Sequence, residues 1–353
     1  MNHDHAPLQR RVTAALESFL TAQRERLSAI DSALLPVADA LTEFVLGGGK
    51  RMRPAFAYWG FAGAGGTDAD EVVGCLSSLE LVQASALIHD DVMDASDTRR
   101  GLPAIHRRFA DRHAAEGWAG DSEAFGRAAA ILLGDLCLAW SDELFDGAGV
   151  DPVAVARARP VFDEMRTEVM AGQYLDVLAV ATRDTSLERA SKIAVYKSAK
   201  YTIERPILMG GALAGADDGL LKSYSAYGLP LGEAFQLRDD ELGVFGDPAV
   251  TGKPAGDDLR EGKRTYLVAA AMAAGTPAQR DLVTALLGDP DLDDAGVAAL
   301  RDVIVSTGAL ATVEARISEL TAAAHEALDG APVEPGARAV LADLITAATR
   351  RAG

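Results

Sequence analysis

Two long apolar helical runs in this chain each end in adjacent aspartates, and this repeated arrangement constrains the fold more than any other feature. The first run, Leu79 to Ile88, passes into His89-Asp90-Asp91-Val92-Met93-Asp94. The second, Leu220 to Arg238, passes into Asp239-Asp240. Asp90 and Asp94 are four apart, so a helix turns both carboxylates to one side, where like charges repel. Carboxylates held in this way call for a cation, and hard oxygen donors favour Mg²⁺ or Ca²⁺. The segment Asp97-Thr98-Arg99-Arg100-Gly101 then sets two guanidinium groups beside the acidic cluster. Carboxylates, a divalent metal and arginines together suit a diphosphate group. A solvated acidic helix end is the plain alternative for the first stretch taken alone.

Alanine and leucine are abundant, aromatic residues are only 6% of the 353, and β-branched runs are short. That favours an all-α protein. No repeat of solenoid length and no long linker interrupts the chain, so a single helical domain over residues 1–353 is expected. Its motif-bearing part covers 48–265 and a helical C-terminal part covers 266–353. The net charge of −18 argues against a nucleic-acid binder and makes each local cluster of Lys and Arg more informative. Cys75 and Cys137 lack a CxxC pattern and read as reduced core residues of a cytoplasmic protein. No apolar segment of 18 residues and no signal-type N-terminus is evident, so no transmembrane segment is expected. His3 and His5 fall in a short polar start that reads as a frayed terminus.

Along the chain, Leu8 to about Leu27 reads as an amphipathic helix, and Asp31 to Leu46 as a second that stops at Gly47-Gly48-Gly49. Three glycines let the backbone approach a ligand, Lys50 and Arg53 supply charge, and Pro54 fixes the next helix start. A helix C-cap followed by solvated bases is the alternative there. The spacings of a Walker loop or dinucleotide fingerprint are missing. Glu71 to Asp94 is apolar on much of its circumference and should be central. A polar loop is expected near Asp111 to Ser122, then a helix around Ala128 to Leu144. Another helix starts at Asp151-Pro152, is interrupted at Pro160 and resumes over Val161 to Val180, with polar breaks at Gly172-Gln173 and Asp176. Leu187 to Ala214 carries Tyr196-Lys197-Ser198. From Gly243 to Gly262 the composition turns to Gly, Pro, Asp and Lys, which predicts a segment of little helical character suited to a functional lid. Several short amphipathic helices follow.

Taken in order, Gly48-Gly49-Lys50-Arg51-Met52-Arg53-Pro54, Asp90-Asp91-Val92-Met93-Asp94 and Arg99-Arg100-Gly101 resemble the head-to-tail (trans) isoprenyl diphosphate synthases. Gly172-Gln173-Tyr174-Leu175-Asp176, Lys197-Ser198, Gln236-Leu237-Arg238-Asp239-Asp240 and Thr251-Gly252-Lys253-Pro254 through Lys263-Arg264-Thr265 extend the likeness, which spans Gly48 to Thr265. Within that family the chain resembles bacterial geranylgeranyl and polyprenyl diphosphate synthases.

The resemblance implies a homodimeric all-α bundle around a deep central cavity, with about three Mg²⁺ ions per active site. It implies that Asp90, Asp91, Asp94, Asp239 and Asp240 serve the metal, Asp91 and Asp240 by orienting waters and neighbouring cations. Arg99, Lys197, Ser198, Gln236 and Lys253 would hold the allylic diphosphate, with Lys263 near it, and Lys197, Gln236 and Lys253 count as catalytic. Lys50, Arg53, Arg100 and Gln83 would hold isopentenyl diphosphate. The implied reaction is Mg²⁺-assisted ionisation, condensation and elimination, with released pyrophosphate as base, so His89 and His106 read as structural. Two positions depart from the family pattern. Gln83 replaces a common histidine, and Gly243 replaces the third aspartate of the second motif, with Asp247 too far along to substitute. Val82, Ser85 and Ala86 lie where a growing chain would run; Ser85 and Ala86 are small, Val82 is modest, and the absence of an aromatic at the first two predicts geranylgeranyl diphosphate, with C25 or longer products as the alternative. A class I terpene cyclase would share the acidic motif but not need Gly48 to Pro54 or Arg100. A non-catalytic partner subunit is the other alternative, resting on Gly243 and Gln83.

Overall fold

The computed structural model describes residues 6–246, 256–289 and 291–349. His3, His5, Asp247 and Lys253 lie outside the described residues. The chain divides into two compact units: Met1–Arg159 with Met209–Gly215, and Pro160–Leu208 with Ala216–Gly353. Both are helical; among the described residues the strands are two short pieces, Thr98–Arg99 and Leu102–Pro103.

The first unit begins with α1 (Ala6–Ile30), which buries Leu8, Val12, Leu16, Leu20 and Leu27 on one stripe, as its apolar spacing requires. Asp31 caps a short 3₁₀ turn by accepting from the Ala33 amide at 2.8 Å, and α2 (Leu35–Leu46) follows with Pro36 in its first turn. After α3 (Met52–Gly63) comes α4 (Asp70–Met93), which packs against α1, α2, α3, α5 (Ile105–Ala115) and α6 (Ser122–Gly147). It is therefore the central helix that its apolar circumference predicts. α6 runs antiparallel to α4: Gly134 lies against the His89 ring, and the Cys75 Sγ reaches the Phe145 carbonyl at 3.4 Å near the opposite end.

The second unit holds most of α7 (Pro152–Thr182), then α8 (Leu187–Ile193), a π-helix over Ala194–Glu204, the start of α9 (Arg205–Ala214) and α10 (Asp218–Phe245). The helices Tyr266–Ala274, Ala309–Gly330 and Pro335–Thr349 pack on α10. Ala234, Leu237 and Val244 of α10 share an apolar core with Leu267, Val313 and Ile317. Tyr227, buried, donates its hydroxyl to the Leu341 carbonyl at 2.9 Å.

Four expectations are corrected. Asp111 to Ala115 belongs to α5, which was read as loop; its buried face of Ile105, His106, Phe109, Ala110 and His113 includes two histidines that look polar in sequence. α7 continues through Pro160, because Ala158 and Phe162 on either side are fully buried and their packing outweighs one missing N–H. Gly243 to Phe245 extend α10, and Asp257–Arg260 is a helical turn, so the lid-like segment is less irregular than its composition suggested. Finally, α4 and α6 are each long and apolar enough to cross a membrane, as is the bent pair Asp294–Ser306 and Ala309–Gly330 together. Glu80 is too sparse an interruption to break the apolar character of α4, and 72% of that stretch is buried within the protein as core.

Candidate active site

In the first unit the acidic element closes α4. Asp94 caps the helix, its amide bonding the Asp90 carbonyl at 2.8 Å. Gln83, Ala86, Leu87, Asp90 and Asp94 form a partly exposed stripe, whereas Val82 and Ser85 are buried at 2% and 4% exposure. Ala86 thus shares the side of Asp90, and the other two small residues face packed neighbours.

Asp91 is fully buried and held by Arg99, whose Nε donates to Oδ1 at 2.9 Å and whose Nη2 makes a second bond to the same oxygen. The same Nη2 lies 3.6 Å from Asp90 Oδ2. Arg99 reaches back because Thr98–Arg99 pairs antiparallel with Leu102–Pro103 across a two-residue turn. Arg100 and Gly101 both have left-handed backbones (φ 55° and 75°), the signature of a type I′ hairpin. The turn aims Arg100 at the glycine loop, where its Nη1 donates to the Gly48 carbonyl at 2.9 Å. Gly48 and Gly49 have φ near 120°, a conformation side-chain-bearing residues rarely adopt.

Burial is the main cause that pushes Arg100 below the usual guanidinium range; Glu80 opposes it, and Arg51, Arg99 and Arg53 reinforce it. Four arginines therefore crowd one region of an acidic protein, which favours an anionic ligand. Arg51 is the member without a role in the sequence reading. It is buried, donates to Glu80 at 2.6 Å and to the Val45 carbonyl at 2.8 Å, and so anchors the loop. The signal was present: Glu80, a lone carboxylate between Leu79 and Leu81, must have a buried partner. The Lys50 carbonyl accepts from Gln9 Nε2 at 2.9 Å. His89 packs on α6, with Nε2 3.0 Å from the Ile131 carbonyl, and His106 is buried.

In the second unit, Lys197 and Ser198 sit on the π-helix, a rare form that recurs at functional sites. Glycines make room for its broader girth. A β-carbon on Gly172 of α7 would lie 2.7 Å from Lys197 Cα, and one on Gly232 of α10 would lie 2.6 Å from Ala199 Cα. Lys197 Nζ bonds Asp176 Oδ2 at 2.6 Å, so the polar break at Asp176 meets the Lys197-Ser198 segment. Gln236 Nε2 donates to Asp240 Oδ1 at 2.6 Å. Burial first, then the charge of Asp258, with smaller parts from Asp239 and Asp176, pushes Asp240 well above the usual carboxylate range, against the pull of Gln236. Asp239 is exposed beside it. Lys263 Nζ lies 2.5 Å from Glu261 Oε2 and 3.6 Å from Asp258 Oδ1. Asp176 and Asp258 join this cluster without having been assigned roles from sequence.

Among the described residues, no three His, Cys, Asp or Glu side chains are gathered closely enough to hold an ion by themselves. Mg²⁺ does not need such a cage: it keeps several waters and takes one or two carboxylates together with substrate phosphates. The exposed or half-exposed Asp90, Asp94 and Asp239 are hard oxygen donors of that kind. A small cradle at Gly243, which a β-carbon would fill, brings the Asp258 carboxylate onto α10. The residues fit Mg²⁺.

The sequence profile described as Polyprenyl synthetase matches residues 36–304. Over 301 residues the chain is 32% identical to a geranylfarnesyl diphosphate synthase of Aeropyrum pernix, covering 84% of this chain and 88% of that one. It is 33% identical over 273 residues to a (2E,6E)-farnesyl diphosphate synthase of Mycobacterium tuberculosis, covering 76% and 70%. A solved geranylgeranyl pyrophosphate synthase from Corynebacterium glutamicum, complexed with isoprenyl diphosphate and magnesium, superposes with a TM-score of 0.96 at 40% identity, covering 99% of this chain and 100% of that one. With helices that end in aspartate pairs and arginines gathered on a glycine loop, this chain belongs to the polyprenyl synthetase family and is an all-α trans-prenyltransferase.

Proposed function

We propose that the protein condenses isopentenyl diphosphate with an allylic diphosphate (dimethylallyl, geranyl or farnesyl) to a trans-polyprenyl diphosphate, principally geranylgeranyl diphosphate. The observation that carries this reading is the gathering of Arg53, Arg99 and Arg100 in one region, with Arg100 bonded to the glycine loop and Arg99 beside Asp90. A second diphosphate needs cations of its own, and these are what a cyclase or a binding module would lack.

In this reading residues 1–353 act as one synthase domain, since the family match runs through both units. Lys50, Arg53 and Arg100 bind isopentenyl diphosphate, with Gln83 donating a neutral hydrogen bond. Arg99, Lys197, Ser198, Gln236, Lys253 and Lys263 grip the allylic diphosphate. Asp90, Asp94 and Asp239 would hold Mg²⁺, about three ions per site, whose charge offsets that building on the departing pyrophosphate. Asp91 acts through Arg99, which it holds in place, and Asp240 through Gln236.

Product length rests on Ala86, the small residue on the stripe of Asp90 and Asp94, with Val82 and Ser85 giving way behind it. C25 and longer chains are the competing outcome, which the small side chains also accommodate. A homodimer is part of the reading: α6 leaves Phe125, Ile131 and Leu132 exposed at 38%, 48% and 62%, a face suited to a second copy. Two free, buried cysteines accord with a reducing, cytoplasmic setting.

The deciding experiment incubates the purified chain with Mg²⁺, isopentenyl diphosphate and farnesyl diphosphate, then dephosphorylates and sizes the products. A dominant C20 alcohol is expected. A ladder from C25 upward keeps the chemistry and moves the end of the channel deeper. A cyclic hydrocarbon, or no elongation by a folded protein, overturns the reading.

A further inference from the structure

We propose that Arg264, together with Arg183, forms an anion site additional to the two substrate sites and suited to a diphosphate group. The proposal rests on the reading of this chain as a diphosphate-handling enzyme and deepens it. Arg264 is only 8% exposed, and its Nε is buried with no hydrogen-bond partner among the described residues. A guanidinium does not lose its proton to escape burial, so it calls for an anion. Arg51, buried to a similar degree, has Glu80 at 2.6 Å for that purpose. Arg264 has no such partner among the described residues. Burial is the larger cause that pushes it below the usual guanidinium range, the charge of Arg183 adds to it, and no carboxylate there offsets them.

The backbone around Arg264 is pinned on both sides. The Gly262 amide donates to the Leu259 carbonyl at 3.3 Å, and a β-carbon on Gly262 would lie 2.9 Å from Gly288 Cα. Thr265 caps the helix Tyr266–Ala274, accepting from the Val268 amide at 3.4 Å. That helix packs against α8, which brings Arg264 near the turn that joins α7 to α8.

Arg183 sits in that turn with a left-handed backbone (φ 54°). Its amide bonds the Val180 carbonyl at 3.2 Å, and the Asp184 amide bonds the Ala179 carbonyl at 2.9 Å. These are the paired bonds of a Schellman helix end, where glycine is the usual occupant. Arg183 is exposed, and the carboxylate of Asp184 accepts instead from the Ser186 amide at 2.9 Å and from Arg189 Nε at 3.4 Å. One guanidinium is thus buried and fixed and the other stands at the surface, a pair that an anion with several oxygens can bridge. The location favours a diphosphate. Arg264 follows Lys263 directly, and Arg183 lies seven residues beyond Asp176, the partner of Lys197. Seven residues of α7 measure about 10 Å, close enough to pass a diphosphate to or from Lys197.

The test titrates the full chain with inorganic pyrophosphate by calorimetry in EDTA, so that no metal bridges the anion to the aspartates. Arg264→Met and Arg183→Gly each remove one guanidinium, and glycine suits the backbone at 183, so the result does not hinge on the folding of the buried variant. Each is expected to weaken this metal-independent binding about tenfold or more. Arg264→Met should also melt at or above the parent when no anion is added, because it relieves a buried charge. Repeating the titration with geranylgeranyl diphosphate identifies the source. A matching loss names the prenyl-borne group, and a loss confined to pyrophosphate names the free anion. Parent-like affinity for both ligands in both variants overturns the proposal. So does an Arg264→Met protein that melts well below the parent, since the guanidinium would then have its partner within the protein. If the parent binds pyrophosphate neither in EDTA nor with Mg²⁺, the diphosphate reading itself fails; binding with Mg²⁺ alone sinks only this site.

Discussion

Arg51 and Glu80 form an ion pair 2.6 Å long whose side chains are only 5% and 6% exposed. The pair joins the end of the glycine loop to the middle of α4, and Arg51 holds a left-handed backbone (φ 50°) to reach it. Removing one partner leaves the other charge buried without compensation. Glu80→Ala is therefore expected to cost about 3–5 kcal/mol, read as a lowered midpoint in urea at unchanged slope. An unshifted midpoint would mean that water reaches Arg51 and that the loop is anchored elsewhere.

Arg100 touches the glycine loop, whereas Arg99 is committed to Asp91 and Asp90. Under the proposed division of labour, Arg100→Gln raises KM for isopentenyl diphosphate about tenfold to a hundredfold, since a hydrogen bond to a charged group contributes roughly 1.5–3 kcal/mol. KM for the allylic substrate should stay near the parent value. Steady-state kinetics with each substrate varied in turn decides it, and an equal rise in both constants would refute the division.

Gly232→Ala places a methyl group against the π-helix at Ala199. Overpacking of this kind costs about 1–3 kcal/mol, and here the displaced element carries Lys197. A fall in kcat accompanied by a lower melting temperature is expected. Full activity with unchanged melting would show that the π-helix has slack to give.

Burial pushes the thiols of Cys75 and Cys137 up to about 12. At pH 8 almost none of either is thiolate, which is the reactive form. Ellman's reagent should therefore leave the native protein unlabelled and titrate both thiols once it is unfolded. Rapid labelling of native protein would contradict their burial.

Much of this arrangement is legible in the sequence wherever a residue breaks its local pattern. Aspartates at the end of an apolar helix, arginines in an acidic chain and glycines before a basic run all announce the site. What stays hidden is pairing across distance. Glu80 shows that a partner exists, yet nothing in sequence says that it is Arg51 and not Arg53. Asp258 lies 15 residues from Gly243, and a contact that depends on an absent side chain leaves no periodic trace. The end of α5 escaped for a simpler reason: Arg107, Arg108, Asp111 and Arg112 are charged, and two of the five residues on its buried face are histidines, so few apolar side chains mark that face.

The close seating of the π-helix on Gly172, Gly228 and Gly232 also bears on how this protein can vary. A β-carbon on Gly228 would lie 2.8 Å from Glu204 Cα, so glycine on two neighbouring helices meets the same widened element. No one of these sites can drift alone. Narrowing the π-helix to an α-helix would open a gap on both sides, and adding bulk on either side would find no room until it narrowed. In a library of functional variants, the three glycines and the length of the Ala194–Glu204 segment should change as one unit or not at all.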